Sequence, residues 1–349
     1  MSLPDRIEGK WIDAFVRAFT LCKIEADTTV AILSETLSRP VNVALAELAL
    51  LRLNARMFHV RLTTPAQDAP VPVRSTGSSM TMQGLAPVVS ALAACEVVID
   101  CTVEGMLHAR ELRLILADGA RLFMISNEHP EILERLVPDA AIRPRVERAK
   151  QRLASAKTMH VTSAAGTDLT IDVRGAPVRG APGFVDEPGK VGYWPGGLVL
   201  CFPKAGTVNG VLVLDAGDVN LTFKRYLESP VRLKIEHDYV TAIDGDGLDA
   251  RLMRSYFAAW GERDAYGVSH VGWGLNARAR WDALALYDKN DVNGTELRAY
   301  AGSFLYSTGA NEHAGRFTQG HFDLPIGGCT IALDGDVVVA NGVLFEDQL

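Results

Sequence analysis

Short β-branched runs alternate with helical patterns over the first half of the chain. Apolar runs predict strands at 29–33, 57–62, 97–101 and 121–125. Apolar residues at helical spacing predict helices at 41–54, 85–95 and 130–136, and a basic helix at 143–157. Parallel neighbours need crossover connections, so this alternation is typical of an open, mostly parallel sheet. We therefore expect an open Rossmann-like α/β domain over residues 1–155.

The pattern changes to antiparallel strands after residue 156. Period-two alternation predicts a hairpin over 159–173, strands at 198–202, 211–214 and 231–235, and a closing hairpin over 330–344. A single helix, predicted at 248–260, interrupts these strands. The second half is therefore expected to form an α+β domain, over residues 156–349, that is rich in antiparallel strands.

The turn after the first predicted strand decides whether the α/β domain binds a dinucleotide. Such turns need glycines, because the pyrophosphate must approach the backbone closely. Residues 34–40 contain no glycine, and the chain has no Gly-x-x-x-x-Gly-Lys-Ser/Thr loop. The sequence therefore argues against a nicotinamide or flavin dinucleotide at this turn, and against the commonest class of NTPase.

Composition narrows the class of partner and the compartment. The 349 residues carry 35 basic and 42 acidic side chains, a net charge of −7, and show no basic cluster for nucleic acid. Five scattered cysteines without a Cys-x-x-Cys pair predict a reducing compartment and no thiolate metal site. Asp5, Glu8 and Asp13 interrupt any export signal, and the apolar stretches are too short to cross a membrane. We expect a cytoplasmic protein with a small-molecule substrate.

One constellation of side chains in the second half suggests a metal centre. His321 and Asp323 stand two residues apart, so in an extended segment they point the same way. His270 stands among glycines that permit close backbone packing. Two imidazoles and one carboxylate form the facial triad that holds non-haem Fe(II). Considered alone, these residues fit a structural interpretation better: a core histidine, and a surface His-x-Asp pair.

Several segments shift this balance because they resemble the 2,5-dihydroxypyridine 5,6-dioxygenase family. The matching segments are Tyr-Gly-Val-Ser-His-Val-Gly-Trp-Gly-Leu at 266–275, Gly-Ser-Phe-Leu-Tyr-Ser-Thr-Gly at 302–309, His-Phe-Asp-Leu-Pro at 321–325, Asp-Glu-Pro-Gly at 186–189 and Trp-Pro at 194–195. The resemblance covers most of the chain. It implies an iron dioxygenase of pyridine-ring catabolism, with Fe(II) held by His270, His321 and Asp323. Its expected partners are O2, a hydroxypyridine-type substrate and further copies of the chain in a homo-oligomer.

The family is similar in fold to metallo-aminopeptidases of the aminopeptidase T type, which hold two metals through additional Glu and His ligands. Leu198 and Leu305 stand where two of those peptidase ligands would fall, and leucine cannot bind a metal. A peptidase drawing on Glu187 or Glu296 is therefore the second hypothesis. A non-catalytic binding protein on the same scaffold is a third.

The resemblance also implies two residues beside the substrate. His108 follows the strand predicted at 97–101 and is expected to act as acid and base, a role suited to an imidazole pKa near ~6.5. A surface histidine at a helix start is an equally open interpretation. Tyr193 stands where the family pattern has a histidine, and Ala181 stands where it has an acidic residue. These two departures leave the identity of the ring substrate open. Tyr193 is expected to hydrogen-bond the substrate or an oxygen intermediate. The other histidines are expected to be surface or structural residues: His59, His129, His160, His237 and His313.

Overall fold

The computed structural model describes residues 6–72 and 77–345, which form sheets of five, eight and five strands and a two-stranded ribbon. The helices are α1 (Gly9–Leu21), α2 (Pro40–Arg52), α3 (Ala86–Ala93), α4 (Leu112–Leu116), α5 (Pro130–Arg135), α6 (Arg143–Ser155), α7 (Leu248–Ala259), α8 (Ala283–Leu286) and α9 (Thr295–Ala299). The strands up to the middle of the chain are β1 (Thr29–Glu35), β2 (Arg56–Leu62), β3 (Val97–Asp100), β4 (Arg121–Ile125), β5 (Thr158–Ser163), β6 (Asp168–Asp172), β7 (Val178–Ala181), β8 (Val191–Trp194), β9 (Leu198–Cys201) and β10 (Val208–Leu214). The later strands are β11 (Val219–Asn220), β12 (Arg225–Tyr226), β13 (Val231–Glu236), β14 (Tyr239–Asp244), β15 (Val268–Gly274), β16 (Phe304–Asn311), β17 (Arg316–Ile326), β18 (Cys329–Leu333), β19 (Asp336–Ala340) and β20 (Val343–Leu344).

The first five-stranded sheet is parallel throughout, in the order β2-β1-β3-β4-β8. The strands and helices predicted for the first half are all present, with ends within two residues of the expected positions. The mixed α/β character expected from the strand–helix alternation is therefore confirmed.

The central strands β1, β3 and β4 are buried on both faces, as a sheet with crossover helices requires, whereas the edge strand β2 is largely exposed. Successive side chains of a strand point to opposite faces. Val30 and Ile32 of β1 accordingly pack with α1 and α2, whereas Ala31 and Leu33 pack with α3 and α4. The helix α1 was not predicted; it packs its buried aromatic residues against the first of these faces.

Two antiparallel sheets form the rest of the fold. The eight-stranded sheet has the order β14-β13-β10-β6-β5-β18-β19-β20, and the second five-stranded sheet the order β17-β16-β15-β9-β7. A shared core lies between them, with Leu212 and Leu233 from the larger sheet and Trp273 and Phe322 from the smaller. The predicted hairpins over 159–173 and 330–344 appear as β5–β6 and β18–β19.

The chain crosses between these layers after the predicted boundary at residue 155. Strand β8 pairs in parallel with β4, so a segment from the second half completes the first sheet. The next strand, β9, lies in the second five-stranded sheet. The division at residue 155 stays a prediction, but the link through β8 and β9 brings the edge of one sheet against the other.

Two further expectations concern the chain as a whole. All five cysteines are buried free thiols. The scattered cysteine pattern gave no indication of a disulfide framework. Within residues 6–72 and 77–345, none of the helices has the length and apolar character needed to span a bilayer.

Candidate active site

A cavity of about 110 Å³ lies where the parallel sheet meets the second five-stranded sheet. The loops that follow β3 and β4 supply one wall, together with Tyr193 on β8. Strands β9, β15, β16 and β17 supply the opposite wall. The carboxyl ends of parallel strands are where ligands gather in open α/β sheets, and this cavity occupies that edge.

The structure places His270, His321 and Asp323 together on the strand wall of the cavity. His270 lies on β15, and His321 and Asp323 lie on β17. The intervening Phe322 points away into the core between the two antiparallel sheets. The period-two geometry inferred for the His-x-Asp pair is therefore present.

The donor atoms of these three side chains converge. Oδ1 of Asp323 lies 3.2 Å from Nε2 of His321 and 3.5 Å from Nε2 of His270. Two donors at right angles around one ion, each about 2.1 Å from it, lie about 3 Å apart. The observed spacings are thus close to those of neighbouring ligands on a single ion.

His108 reaches the same cluster from the loop after β3. Its ligand nitrogen and those of His270 and His321 all lie within 4.8 Å of one another. The rings of His108 and His321 have centroids 5.2 Å apart, so they are in contact. The geometry therefore offers two overlapping donor sets, which share His270 and His321 and differ in whether Asp323 or His108 is the third member.

Serine hydroxyl groups contact both ring nitrogens of His270. The Ser269 hydroxyl donates its one proton to the carbonyl oxygen of Ala310, at 2.5 Å. The 3.2 Å contact between Ser269 Oγ and Nδ1, and the 3.0 Å contact between Ser307 Oγ and Nε2, hold the His270 ring in place. Burial lowers the pKa of His270 to about 3, so the ring is neutral at pH 7. Its Nε2 lies 3.5 Å from Oδ1 of Asp323, and a neutral ring can offer a nitrogen lone pair to a metal ion.

The Asp323 carboxylate is held by two further side chains that the sequence reasoning missed. Arg298 forms an ion pair with Oδ2, with Nε at 2.5 Å, and the Ser307 hydroxyl donates to Oδ1. Burial alone would raise the pKa of Asp323, but His321 and Arg298 hold it well below its usual range. The carboxylate is therefore ionised and fixed in orientation.

These groups fit a metal ion with nitrogen and oxygen ligands. Nε2 of His108 is buried and lacks a hydrogen-bond partner in the described ranges, which is a costly state for a polar atom. The donor set of imidazoles and one ionised carboxylate matches the 2-His-1-carboxylate arrangement of non-haem Fe(II) sites. Ser269 and Ser307 supply the outer hydrogen bonds that orient such ligands.

Tyr193 and Ala181, the two departures from the family pattern, lie close together near the cavity. Tyr193 lines it directly and packs against a small apolar cluster that contains Ala181, Leu198 and Leu200. Burial raises the pKa of the Tyr193 phenol, so it stays protonated and available as a hydrogen-bond donor. The side of the cavity bounded by these residues is thus apolar apart from one hydroxyl.

The positions where the peptidases would have ligands are not equipped for a second metal. Leu198 and Leu305 both line the cavity and present only methyl groups to it. Glu296 is buried away from the cavity in a two-point ion pair with Arg135, with both N···O distances 2.6 Å. Glu187 is exposed and lines neither the cavity nor its mouth.

The five remaining histidines do not line the cavity. His59 bonds Ser34, His129 caps α5, His160 pairs with Asp168, and His237 is exposed. His313 instead lines a groove outside the cavity, its ring 5.5 Å from that of Phe202. No local sequence signal marked Arg298 or Ser307, because each reaches Asp323 only through non-local packing.

Comparison with known proteins places this site in a family. The sequence matches the 2,5-dihydroxypyridine 5,6-dioxygenase family over residues 10–346. A 2,5-dihydroxypyridine 5,6-dioxygenase of Pseudomonas putida KT2440 is 36% identical over 337 residues, which cover 94% of each chain. The solved structure of 2,5-dihydroxypyridine dioxygenase from Pseudomonas putida KT2440 superposes with a TM-score of 0.90, at 34% identity over 96% of each chain. Wild-type AmpT from Thermus thermophilus shares the fold, with a TM-score of 0.62 at 13% identity over 96% of this chain and 99% of that one. The chain therefore belongs to the 2,5-dihydroxypyridine 5,6-dioxygenase family.

Proposed function

We propose that this protein is an Fe(II)-dependent dioxygenase that opens the ring of 2,5-dihydroxypyridine or a closely related hydroxylated N-heteroaromatic. Family membership supports the reaction class. The observation that carries the proposal is the convergence of His270, His321 and Asp323 on one point beside His108. Both atoms of O2 enter the product, and the expected partners are the hydroxypyridine and O2.

His270, His321 and Asp323 would hold the iron, which supplies electron transfer to O2 and a positive charge beside the substrate hydroxyl. Asp323 is the better third ligand because its Oδ1 contacts both inner nitrogens and its charge offsets that of the metal. Arg298 and Ser307 keep this carboxylate in place. In this assignment His108 stays free for proton transfer.

His108 lines the cavity wall, where it can exchange a proton with the substrate hydroxyl. Burial and the neighbouring His321 and His270 hold the pKa of His108 well below the usual histidine value, so the ring is neutral at pH 7. Its buried Nε2 has no protein partner in the described ranges and lies at the cavity wall. A neutral imidazole takes the proton and returns it to the ring-opened product.

The other wall residues orient the ring and exclude water. Leu198, Leu200 and Leu305 provide apolar contact for the faces of a planar ring. The protonated Tyr193 hydroxyl lies on the cavity wall opposite His270 and donates a hydrogen bond to a ring substituent. The substrate is thereby held between the carboxyl edge of the parallel sheet and the second five-stranded sheet.

Oxygen consumption tests the proposed reaction. Protein loaded anaerobically with Fe(II) is expected to consume O2 when mixed with 2,5-dihydroxypyridine and to show no cleavage of aminoacyl anilides. Background oxygen uptake on every hydroxypyridine, together with anilide hydrolysis, would instead establish the peptidase hypothesis. Background levels in both assays, with no bound metal, would favour the binding protein.

Metal content separates the two donor sets. We expect His321→Ala and Asp323→Ala to lose bound iron, whereas His108→Ala keeps it and loses on the order of 10²–10⁴-fold in kcat. His160→Ala is the matched control, because this exposed histidine pairs with Asp168 on the outer face of the eight-stranded sheet, away from the cavity. If His108→Ala lost its iron and Asp323→Ala retained it, the ligand assignment would be wrong.

A further inference from the structure

An outer groove of about 680 Å³ adjoins the active-site cavity. Gly77, Leu107, His108 and His321 line both spaces, so the groove opens directly onto the proposed site. A methyl group at Gly77 would lie 2.8 Å from Cγ of His321, which shows how tightly this junction is packed. A small molecule that enters or leaves the cavity through the groove passes these residues.

Arg179 is a cation that lines this groove. It lies on β7 with its side chain exposed to the groove and its guanidinium carbon 5.1 Å from the ring centroid of Phe202. Phe202 is buried, and its ring centroid lies 5.7 Å from that of His270. A single phenyl ring thus separates the guanidinium from a proposed metal ligand.

Two charged side chains that act on Arg179, Glu312 and Arg113, are paired with each other. Glu312, a carboxylate that lines the same groove, forms an ion pair with Arg113 at 2.8 Å. Within residues 6–72 and 77–345, Arg179 itself makes a contact with an aromatic ring but no hydrogen bond or ion pair. An arginine stays charged in proteins and presents a planar fork that matches a carboxylate.

We propose that Arg179 and Phe202 form a carboxylate-binding subsite at the mouth of the active site. The inference rests on the proposed dioxygenase function. Phe202 fixes the guanidinium by a cation–π contact and shields one face of it from water, which strengthens an ion pair on the other face. The ligand is the carboxylate of a compact molecule whose remaining atoms lie in the cavity.

Two sources supply such a carboxylate. When O2 cleaves a ring bond beside a hydroxyl-bearing carbon, one C–C bond breaks, each carbon gains one oxygen atom, and the hydroxyl-bearing carbon becomes a carboxyl group. The ring-opened product of a neutral dihydroxypyridine is therefore an anion. Alternatively, the substrate itself carries a carboxylate substituent on its ring.

Calorimetric binding under argon tests the subsite without turnover. The Fe(II)-loaded protein is titrated with two matched pairs, pyridine-3-carboxylate with its carboxamide and maleamate with maleic diamide. We expect Arg179→Met to weaken binding of at least one carboxylate roughly tenfold and to leave both amides unchanged. Arg179→Lys should recover part of the loss. Arg174→Met is the control, because it removes the same charge from an exposed arginine that pairs with Asp172 outside the groove.

The outcomes separate the sources and the two proposals. Arg179-dependent binding of pyridine-3-carboxylate indicates that the carboxylate is a ring substituent of the substrate. Arg179-dependent binding of maleamate indicates that it belongs to a ring-opened acid. Equal carboxylate affinities in the wild type and Arg179→Met, or no carboxylate binding by either, would overturn the subsite even if 2,5-dihydroxypyridine is oxidised. Arg179-dependent binding in a protein that consumes no O2 with any hydroxypyridine would uphold the subsite and overturn the proposed function.

Discussion

Glu35 ties together the two segments that form the outer wall of the site, and its removal should loosen both. At the carboxyl end of β1, its Oε1 accepts a hydrogen bond from the backbone N–H of Val103 at 2.7 Å and from the Ser79 hydroxyl at 3.1 Å. The Ser79 N–H in turn donates to the Gly105 carbonyl at 2.8 Å. One of these segments leads to His108, and the other begins at the junction with the groove.

The magnitude follows from the burial of these groups. Glu35, Val103 and Ser79 are 2%, 2% and 4% exposed, so donors deprived of their acceptor are not rescued by bulk water. Each buried donor left without a partner costs about 1–3 kcal/mol. Glu35→Ala also removes the buried Oε2 of Glu35, which lacks a partner in the described ranges. Removing this unpaired polar atom offsets part of the loss. We expect a net loss of about 2–4 kcal/mol in the free energy of unfolding.

Glu35→Gln is the matched control, because its amide oxygen keeps the acceptor while the charge is removed. Its free energy of unfolding should stay within about 1 kcal/mol of the wild type. Urea denaturation at pH 7, followed by tryptophan fluorescence, measures both variants. We also expect kcat to fall in Glu35→Ala while its iron content is retained. Equal stabilities of the alanine and glutamine variants would refute the role assigned to these hydrogen bonds.

Three other substitutions probe the site and its supports. Burial raises the pKa of Asp100 to about 6 from 3.8, so this group lowers the free energy of unfolding as the pH rises between those values, and the full cost persists above pH 6. Asp100→Asn should therefore gain up to about 3 kcal/mol at pH 8 and nothing below pH 4, and an equal gain at both would refute this. Ser307→Ala should weaken Fe(II) binding roughly 10- to 100-fold in a chelator competition, and an unchanged affinity would contradict its orienting role. Tyr193→Phe should raise KM for 2,5-dihydroxypyridine roughly tenfold with a smaller change in kcat, whereas an unchanged KM would remove its contact with the substrate.

The elements that the sequence revealed are those whose signals are local. Strands such as β1 and β4 are short apolar runs bounded by polar turns, and the alternation around Phe322 specified which way His321 and Asp323 point. Both features follow from the backbone geometry of a few consecutive residues. They required no knowledge of distant contacts.

The parts that escaped prediction depend on non-local contacts. The pairing of β8 with β4 joins segments far apart in the chain, and nothing in the residues of β8 specifies that partner. Arg298 reaches Asp323 from the short helix α9, and Ser307 does so because β16 pairs with β17 in that register. The close approach of His108 to His270 and His321 likewise required the two sheets to be placed against each other.

The central claim is that this protein inserts both atoms of O2 into a hydroxypyridine ring. Mass spectrometry of the product formed under ¹⁸O2 by the Fe(II)-loaded protein tests it most directly. We expect the product from 2,5-dihydroxypyridine to carry two ¹⁸O atoms, and His160→Ala to give the same labelling. A product with one labelled atom, or with label only from H2¹⁸O, would contradict it.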